Sequence, residues 1–262
     1  MVTVTDRNAL EVYNFFARKC ELEVLTTSFK NWFSDDLKNQ NDIVEHNGEV
    51  VISVFHSREN EKIFSTDHPL SLICSIETLK GVLDFYVNVS ALLGKSSLGK
   101  NISDKFLSQI KTWIVNLSDR LRYKKVLILD SDDQTYAVGG YLTDILRMCS
   151  SRYFFEKTLT PFVDAADYLN PDVAIVNTNM SPADFLMRVA KDKLQNTTAF
   201  KRGAVFYVAK STCYFGNINP DNLFVTVSII FSAVCDLESG YIAPRNSFYK
   251  LAYLEMFRHK IG

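Results

Sequence analysis

The chain has 262 residues, 47% of them hydrophobic and 23% charged, with few glycines and prolines. That balance builds packed cores and excludes a disordered or fibrous chain. The formal net charge is −1, and dividing the chain after Arg120 leaves 13 basic against 16 acidic residues before the cut and 16 against 14 after it, so neither half has the basic excess of a nucleic-acid-binding protein. No apolar run is long enough to cross a bilayer, and Met1-Val-Thr-Val-Thr-Asp-Arg lacks the apolar core of a signal peptide, which predicts a cytoplasmic chain with no strong membrane signal.

The five cysteines (Cys20, Cys74, Cys149, Cys213, Cys235) are odd in number and scattered through apolar surroundings, and read as reduced core residues. His46, His56, His68 and His259 show no metal-ligand spacing, so no metal or cofactor is expected.

In chain order, Asn8 to Cys20 has helical spacing, Glu21 to Thr27 alternates like a strand, and Ser28 to Gln40 returns to helical period. After the Asn47-Gly48 turn, Glu49 to Phe55 is the clearest strand of the first half, followed by apolar runs at Leu70–Ser75 and Val82–Val89 that read as strands, with a short helix at Ile76–Lys80. Gly94-Lys-Ser-Ser-Leu-Gly99 contains Gly-Lys-Ser but lacks the earlier glycine of a phosphate-binding loop, since position 89 holds Val. Ile102 to Leu121 is an amphipathic helix. Residues 1–121 are expected to form one divergent α/β domain and residues 122–262 a second.

From Tyr123 the pattern becomes a regular alternation of strand and helix. Strands are expected at Val126–Asp130, Tyr153–Leu159, Asp172–Asn177, Ala204–Ala209 and Tyr241–Ala243. Helices are expected at Asp133–Cys149, Thr160–Leu169, Ser181–Leu194, Asn219–Leu237 and Ser247–Lys260, three of them opened by proline in the first turn. The implied fold is α/β, a doubly wound five-stranded parallel sheet of flavodoxin type. In such a sheet the carboxyl ends of neighbouring strands face one crevice, which gathers Asp130, Ser131, Asp132 and Asn177.

Three segments carry a resemblance. Val126-Leu-Ile-Leu-Asp-Ser-Asp-Asp133, Pro171-Asp-Val-Ala-Ile-Val-Asn-Thr-Asn-Met-Ser-Pro182 and Gly240-Tyr-Ile-Ala-Pro244 resemble, in order, the acidic-pair strand, the phosphoacceptor strand and the final strand of a receiver domain of two-component signalling. The resemblance implies a degenerate phosphoacceptor pocket of Asp130, Ser131, Asp132, Asn177, Lys210, Ser211 and Ala243. Asn177 stands where the acceptor Asp belongs, and an amide cannot form an acyl phosphate. Ala243 stands where the family has Lys, and Ser131 removes one charged cation ligand. The first half resembles a more degraded version of the same fold, with His56 at its third strand end, as found in hybrid phosphorelay kinases.

The expectation is therefore a non-catalytic pseudo-receiver that acts by protein contacts, with another protein or a second copy of itself as partner. Phe224, Tyr241, Phe248, Tyr249, Tyr253 and Phe257 are its candidate interface. Two alternatives are a cofactor-binding α/β enzyme such as a methyltransferase, and a transcription regulator lacking its DNA-binding domain. The first is disfavoured because Asp-Ser-Asp-Asp follows Leu129 where cofactor folds need glycine, and Gly139-Gly140 lies too far into the helix.

Overall fold

The computed structural model describes residues 2–4, 7–22, 50–55, 71–75, 77–121, 123–130, 140–149, 170–191 and 196–251. Backbone contacts divide the chain into two compact units, Met1–Leu107 with Ile218–Pro220, and Ser108–Asn217 with Asp221–Gly262.

In the first unit, β1 (Val2–Val4), β2 (Val50–Phe55) and β3 (Ser71–Ser75) form a parallel sheet in that order, with Val2 opposite Val50 and Val51 opposite Ser71. Helix α1 (Arg7–Lys19) buries Ala9, Val12, Tyr13, Phe16 and Ala17, one stripe at helical spacing, and ends on Arg18 and Lys19, which favour the negative end of the helix dipole. The fully buried Phe16 packs its ring 5.9 Å from that of Tyr86. Burial of two such rings contributes about 2–3 kcal/mol each.

Tyr86 lies on α2 (Leu79–Leu92), which corrects the expected strand at Val82–Val89. The β-branched composition suggested a strand, but Leu79, Val82, Leu83, Tyr86 and Ser90 share one buried helical face, and the Thr78 hydroxyl caps the first turn by accepting from the Gly81 amide at 3.0 Å. Helix α3 (Ser96–Asn116) starts inside the Gly-Lys-Ser stretch but follows helix α2 where a phosphate loop follows a strand, so that stretch is no phosphate loop. Gly99 is buried where α3 meets α2. Its amide donates to Ser90 Oγ at 3.1 Å, and Ser103 Oγ donates to the Leu83 carbonyl at 3.3 Å. A Cβ at Gly99 would stand 2.4 Å from the Tyr86 carbonyl oxygen, so only glycine permits this approach. The Tyr86 hydroxyl donates to the Ile218 carbonyl, and Asn219 Nδ2 donates to the Glu11 carbonyl at 3.2 Å, which ties residues 218–220 to this unit.

In the second unit, β4 (Val126–Asp130), β5 (Val173–Thr178), β6 (Val205–Ala209) and β7 (Tyr249–Lys250) are neighbours in that order, the first three parallel and β7 antiparallel to β6. All six residues of β5 are buried, as a strand covered on both faces requires. One face packs Leu127, Leu129, Val176 and Tyr207 against Phe185 and Phe200. Phe185 belongs to α5 (Pro182–Lys191), where Ser181 Oγ accepts from the Asp184 amide at 3.1 Å and donates to its carboxylate at 2.7 Å. This is the Ser cap followed by Pro at the first helical position that the sequence suggests. Phe200 belongs to the short α6 (Thr198–Lys201), which the sequence pattern did not show; its Thr198 amide is capped by Asn170 Oδ1 at 2.8 Å. Helix α4 (Tyr141–Met148) buries Tyr141, Leu142, Thr143, Ile145 and Leu146, and α7 (Pro220–Val234) is the most apolar of the described helices of the unit. In α7, Ser228 and Ser232 return their hydroxyls to the Val225 and Ser228 carbonyls at 2.8 Å, which satisfies them without outside partners.

The α/β class stands, but the described sheet of this unit has four strands of mixed sense. Tyr241–Ala243 is not a strand. Gly240, at φ +98, donates from its amide to the Ala243 carbonyl at 3.0 Å, closing a turn, and Asn246 at φ +60 redirects the chain so that Tyr249–Lys250 returns antiparallel to β6. Residues 247–251 are accordingly not helical. The expected strand at 153–159, the helices over 28–40 and 160–169 and most of the strand over 21–27 lie outside the described residues.

Candidate functional site

The carboxyl ends of β4, β5 and β6 are set by the register, which places Asp130 opposite Asn177, Asn177 opposite Val208 and Thr178 opposite Ala209. Asn177 is fully buried at the end of β5. Its Nδ2 donates to the Cys213 carbonyl at 2.7 Å and to the Val208 carbonyl at 3.3 Å, while its Oδ1 accepts from the Phe215 amide at 3.1 Å. Asn177 is a structural anchor for the loop after β6.

Other groups hold the same loop. The Tyr141 hydroxyl, at the start of α4, donates to the Phe215 carbonyl. Asn222, in the first turn of α7, accepts from the Tyr214 amide at 3.2 Å and donates to the Tyr214 and Asn217 carbonyls, each at 2.7 Å. The Cys213 Sγ lies 3.2 Å from Thr226 Oγ1. Burial pushes the Cys213 thiol up from 9.0 to about 11, a rise that the Thr226 hydrogen bond moderates. The β5–α5 connection is fixed as well, because the Tyr207 hydroxyl donates to the Met180 carbonyl at 2.5 Å.

What the anchored loop presents is Tyr214, 43% exposed, with the Lys210 ammonium 5.5 Å over its ring. Gly216 packs against the phenol end, where a Cβ would stand 2.7 Å from Tyr214 Cζ. Ser211 and Thr212 are exposed beside them. This edge offers an aromatic face, a cation and hydroxyls, which suits binding more than bond-breaking. Among the described residues, no group of three or more His, Cys, Asp or Glu side chains could hold a metal ion.

Of the residues singled out from sequence, Asp130, Asn177, Lys210 and Ser211 belong to this edge, while Ser131 and Asp132 lie outside the described residues. Ala243 is buried in the turn closed by Gly240 and is not at a strand end. Phe248 is core, its ring 5.8 Å from that of Phe206. Phe224 is partly covered by Trp113, with ring centroids 5.5 Å apart; Tyr241 and Tyr249 are exposed, and Tyr253 and Phe257 lie outside the described residues. Sequence reading missed Tyr141, Cys213, Tyr214, Phe215 and Asn222. The available signal was Tyr214-Phe215-Gly216, two aromatics and a glycine in an otherwise polar connection.

No protein-family model and no curated protein sequence matches the chain. Solved structures do. The chain is similar to Staphylococcus aureus IsdE complexed with heme, at 15% identity and a TM-score of 0.59, over 89% of this chain and 99% of that one. It is also similar to the siderophore periplasmic binding protein from the fuscachelin gene cluster of Thermobifida fusca, at 12% identity and 0.57, over 90% and 96%. A third is an ABC transporter substrate-binding protein from Listeria monocytogenes, at 11% and 0.57, over 90% and 98%. The likeness is one of fold.

It overturns the receiver resemblance, because these structures, each matched over about nine-tenths of this chain, are described as binding proteins or as a heme complex and not as receivers. The signalling role and the phosphorelay context fall with it. The cytoplasmic expectation is corrected too, since a neighbour of this fold is described as periplasmic. The non-enzymatic reading agrees with neighbours that are described as binding proteins.

Proposed function

We propose that the chain is a non-catalytic ligand-binding protein that captures an iron-bearing organic ligand, a heme or a ferric siderophore, outside the cytoplasm and delivers it to a transporter. The transporter is then the protein partner, and no second copy of the chain is required. The observation that carries the reading is the likeness in fold, over nine-tenths of both chains, to structures described as binding heme and siderophores. The carboxyl edge of the second unit supports it, because an anchored loop presenting Tyr214 and Lys210 is the kind of rigid surface on which open α/β sheets take ligands. On this reading the organisation is two ligand-binding α/β domains, and Asp130, Lys210 and Ser211 belong to a binding edge.

Titration of the full chain with hemin and with ferric siderophores, followed by tryptophan fluorescence and by the absorbance of the chelate, tests the reading. At a hundredfold excess over the Kd the bound ligand stabilises the fold by about 2.7 kcal/mol, which raises the Tm by roughly 5–10 °C. If no chelate of either class changes the spectra or the Tm, the proposal is wrong.

A different measurement probes the anchor beneath that edge. The Cys213 thiol ionises near 9.0 in the unfolded chain and about 11 in the fold, so the folded state holds this proton more tightly. The stabilisation is fully present below pH 9 and is lost as pH rises through 11, roughly 2–3 kcal/mol in all. In urea denaturation at pH 8 and pH 11, the parent chain is expected to lose that much more stability than Cys213→Ala. Equal losses would show that the thiol's burial does not govern alkaline stability.

A further inference from the structure

Resting on the ligand-binding reading above, we propose that Lys210 and Tyr214 recognise an anionic oxygen of the ligand, so that the chain selects negatively charged chelates, such as tris-catecholates or carboxylate-bearing porphyrins, over neutral ones. The Lys210 ammonium is held 5.5 Å over an exposed ring, and the phenol hydroxyl of that same ring is a second donor close by. The two donors are fixed by different means. Lys210 follows β6 directly, and its amide donates to the Thr178 carbonyl at 3.1 Å. Tyr214 is bracketed by its own backbone hydrogen bonds to Asn222 and by the close approach of Gly216.

A flexible lysine alone would give a salt-screened attraction of little value. A lysine placed over an aromatic face, on a loop anchored by a buried amide, loses less freedom when an anion arrives, which favours specific capture. Ser211 and Thr212 add exposed hydroxyls to the same edge, suited to the remaining oxygens of a catecholate or carboxylate.

The test uses the full chain and two probes, a ferric tris-catecholate chelate with net negative charge and a ferric trihydroxamate chelate without one. The tris-catecholate is expected to bind at least tenfold more tightly at low salt, and to lose most of that advantage at high salt. Lys210→Met should weaken tris-catecholate binding about tenfold and leave the trihydroxamate unchanged, while Lys201→Met, at an exposed position on α6, should change neither. Loss of salt dependence in the Lys210 variant, at an unaltered Tm, separates recognition from misfolding. Binding of both chelates with equal affinity, or an unchanged tris-catecholate affinity in Lys210→Met, overturns the inference and leaves the ligand-binding reading standing. If neither chelate nor hemin binds, both fall together.

Discussion

Asn177→Asp is expected to cost about 3–5 kcal/mol of stability. The wild-type amide donates to two carbonyl oxygens, of Val208 and Cys213, at a site with no solvent exposure. A carboxylate there turns both hydrogen bonds into oxygen–oxygen repulsions and buries a charge. A protonated acid recovers at most one of the two, because it has one donor where the amide has two. Asn177→Ala is expected to cost less, about 2–4 kcal/mol, since it leaves the Phe215 amide and two carbonyls unsatisfied without adding a charge. Urea denaturation of the three chains measures both. The ordering is the informative part, because a position that merely tolerates Asn would accept Asp more readily than Ala. A loss below about 1 kcal/mol for Asp would show that the amide does not anchor the loop.

The second large effect belongs to Gly99→Ala in the first unit. Alanine inside a helix normally gains about 1 kcal/mol over glycine. Here the added methyl would stand 2.3 Å from Ser90 Oγ and 2.4 Å from the Tyr86 carbonyl oxygen, and backbone cannot step aside as a side chain can. The clash exceeds the propensity gain, and the expected net cost is about 3 kcal/mol, a fall in Tm of roughly 6–12 °C by calorimetry. Gly203→Ala is the comparison. Gly203 has φ +65 and nothing within 4 Å of its would-be Cβ, so strain alone acts there, at about 1–2 kcal/mol. Equal shifts for the two would mean that α3 moves away from α2 at little cost.

Much of the second unit was legible residue by residue. The β-branched runs of β4, β5 and β6 need burial on both faces, and Ser181-Pro182 and Pro220 mark helix starts, so these elements lie close to where the spacing puts them. Val82 to Val89 failed because strand-forming residues were allowed to outweigh a helical period that the chain obeys. The family resemblance failed for a different reason. A strand-helix alternation with polar strand ends is common to many open α/β sheets, and it does not specify the sense of the last strand. That sense depends on the turn at Gly240 and on Asn246 in a left-handed conformation, which local pattern does not reveal.

The site was half legible for a related reason. Asn177 stood out as a polar residue ending an apolar strand. Its partners are Val208, Cys213 and Phe215, 31 to 38 residues further along, and no spacing rule connects them. Chemical type predicted that Asn177 could not be phosphorylated. Only the fold shows what it does instead.

The two-residue strand β7 has a further consequence. It covers β6 on the side away from β5, and Lys250 within it pairs with the Asp236 carboxylate at 2.7 Å. β6 is an apolar run of high strand propensity, the type of segment that recruits other chains when its backbone is left open. A short strand of opposite sense occupies that backbone at Phe206 and Tyr207 while itself offering only two residues for a further strand to match. The turn that reverses the last strand thus also leaves less of that backbone open to another chain.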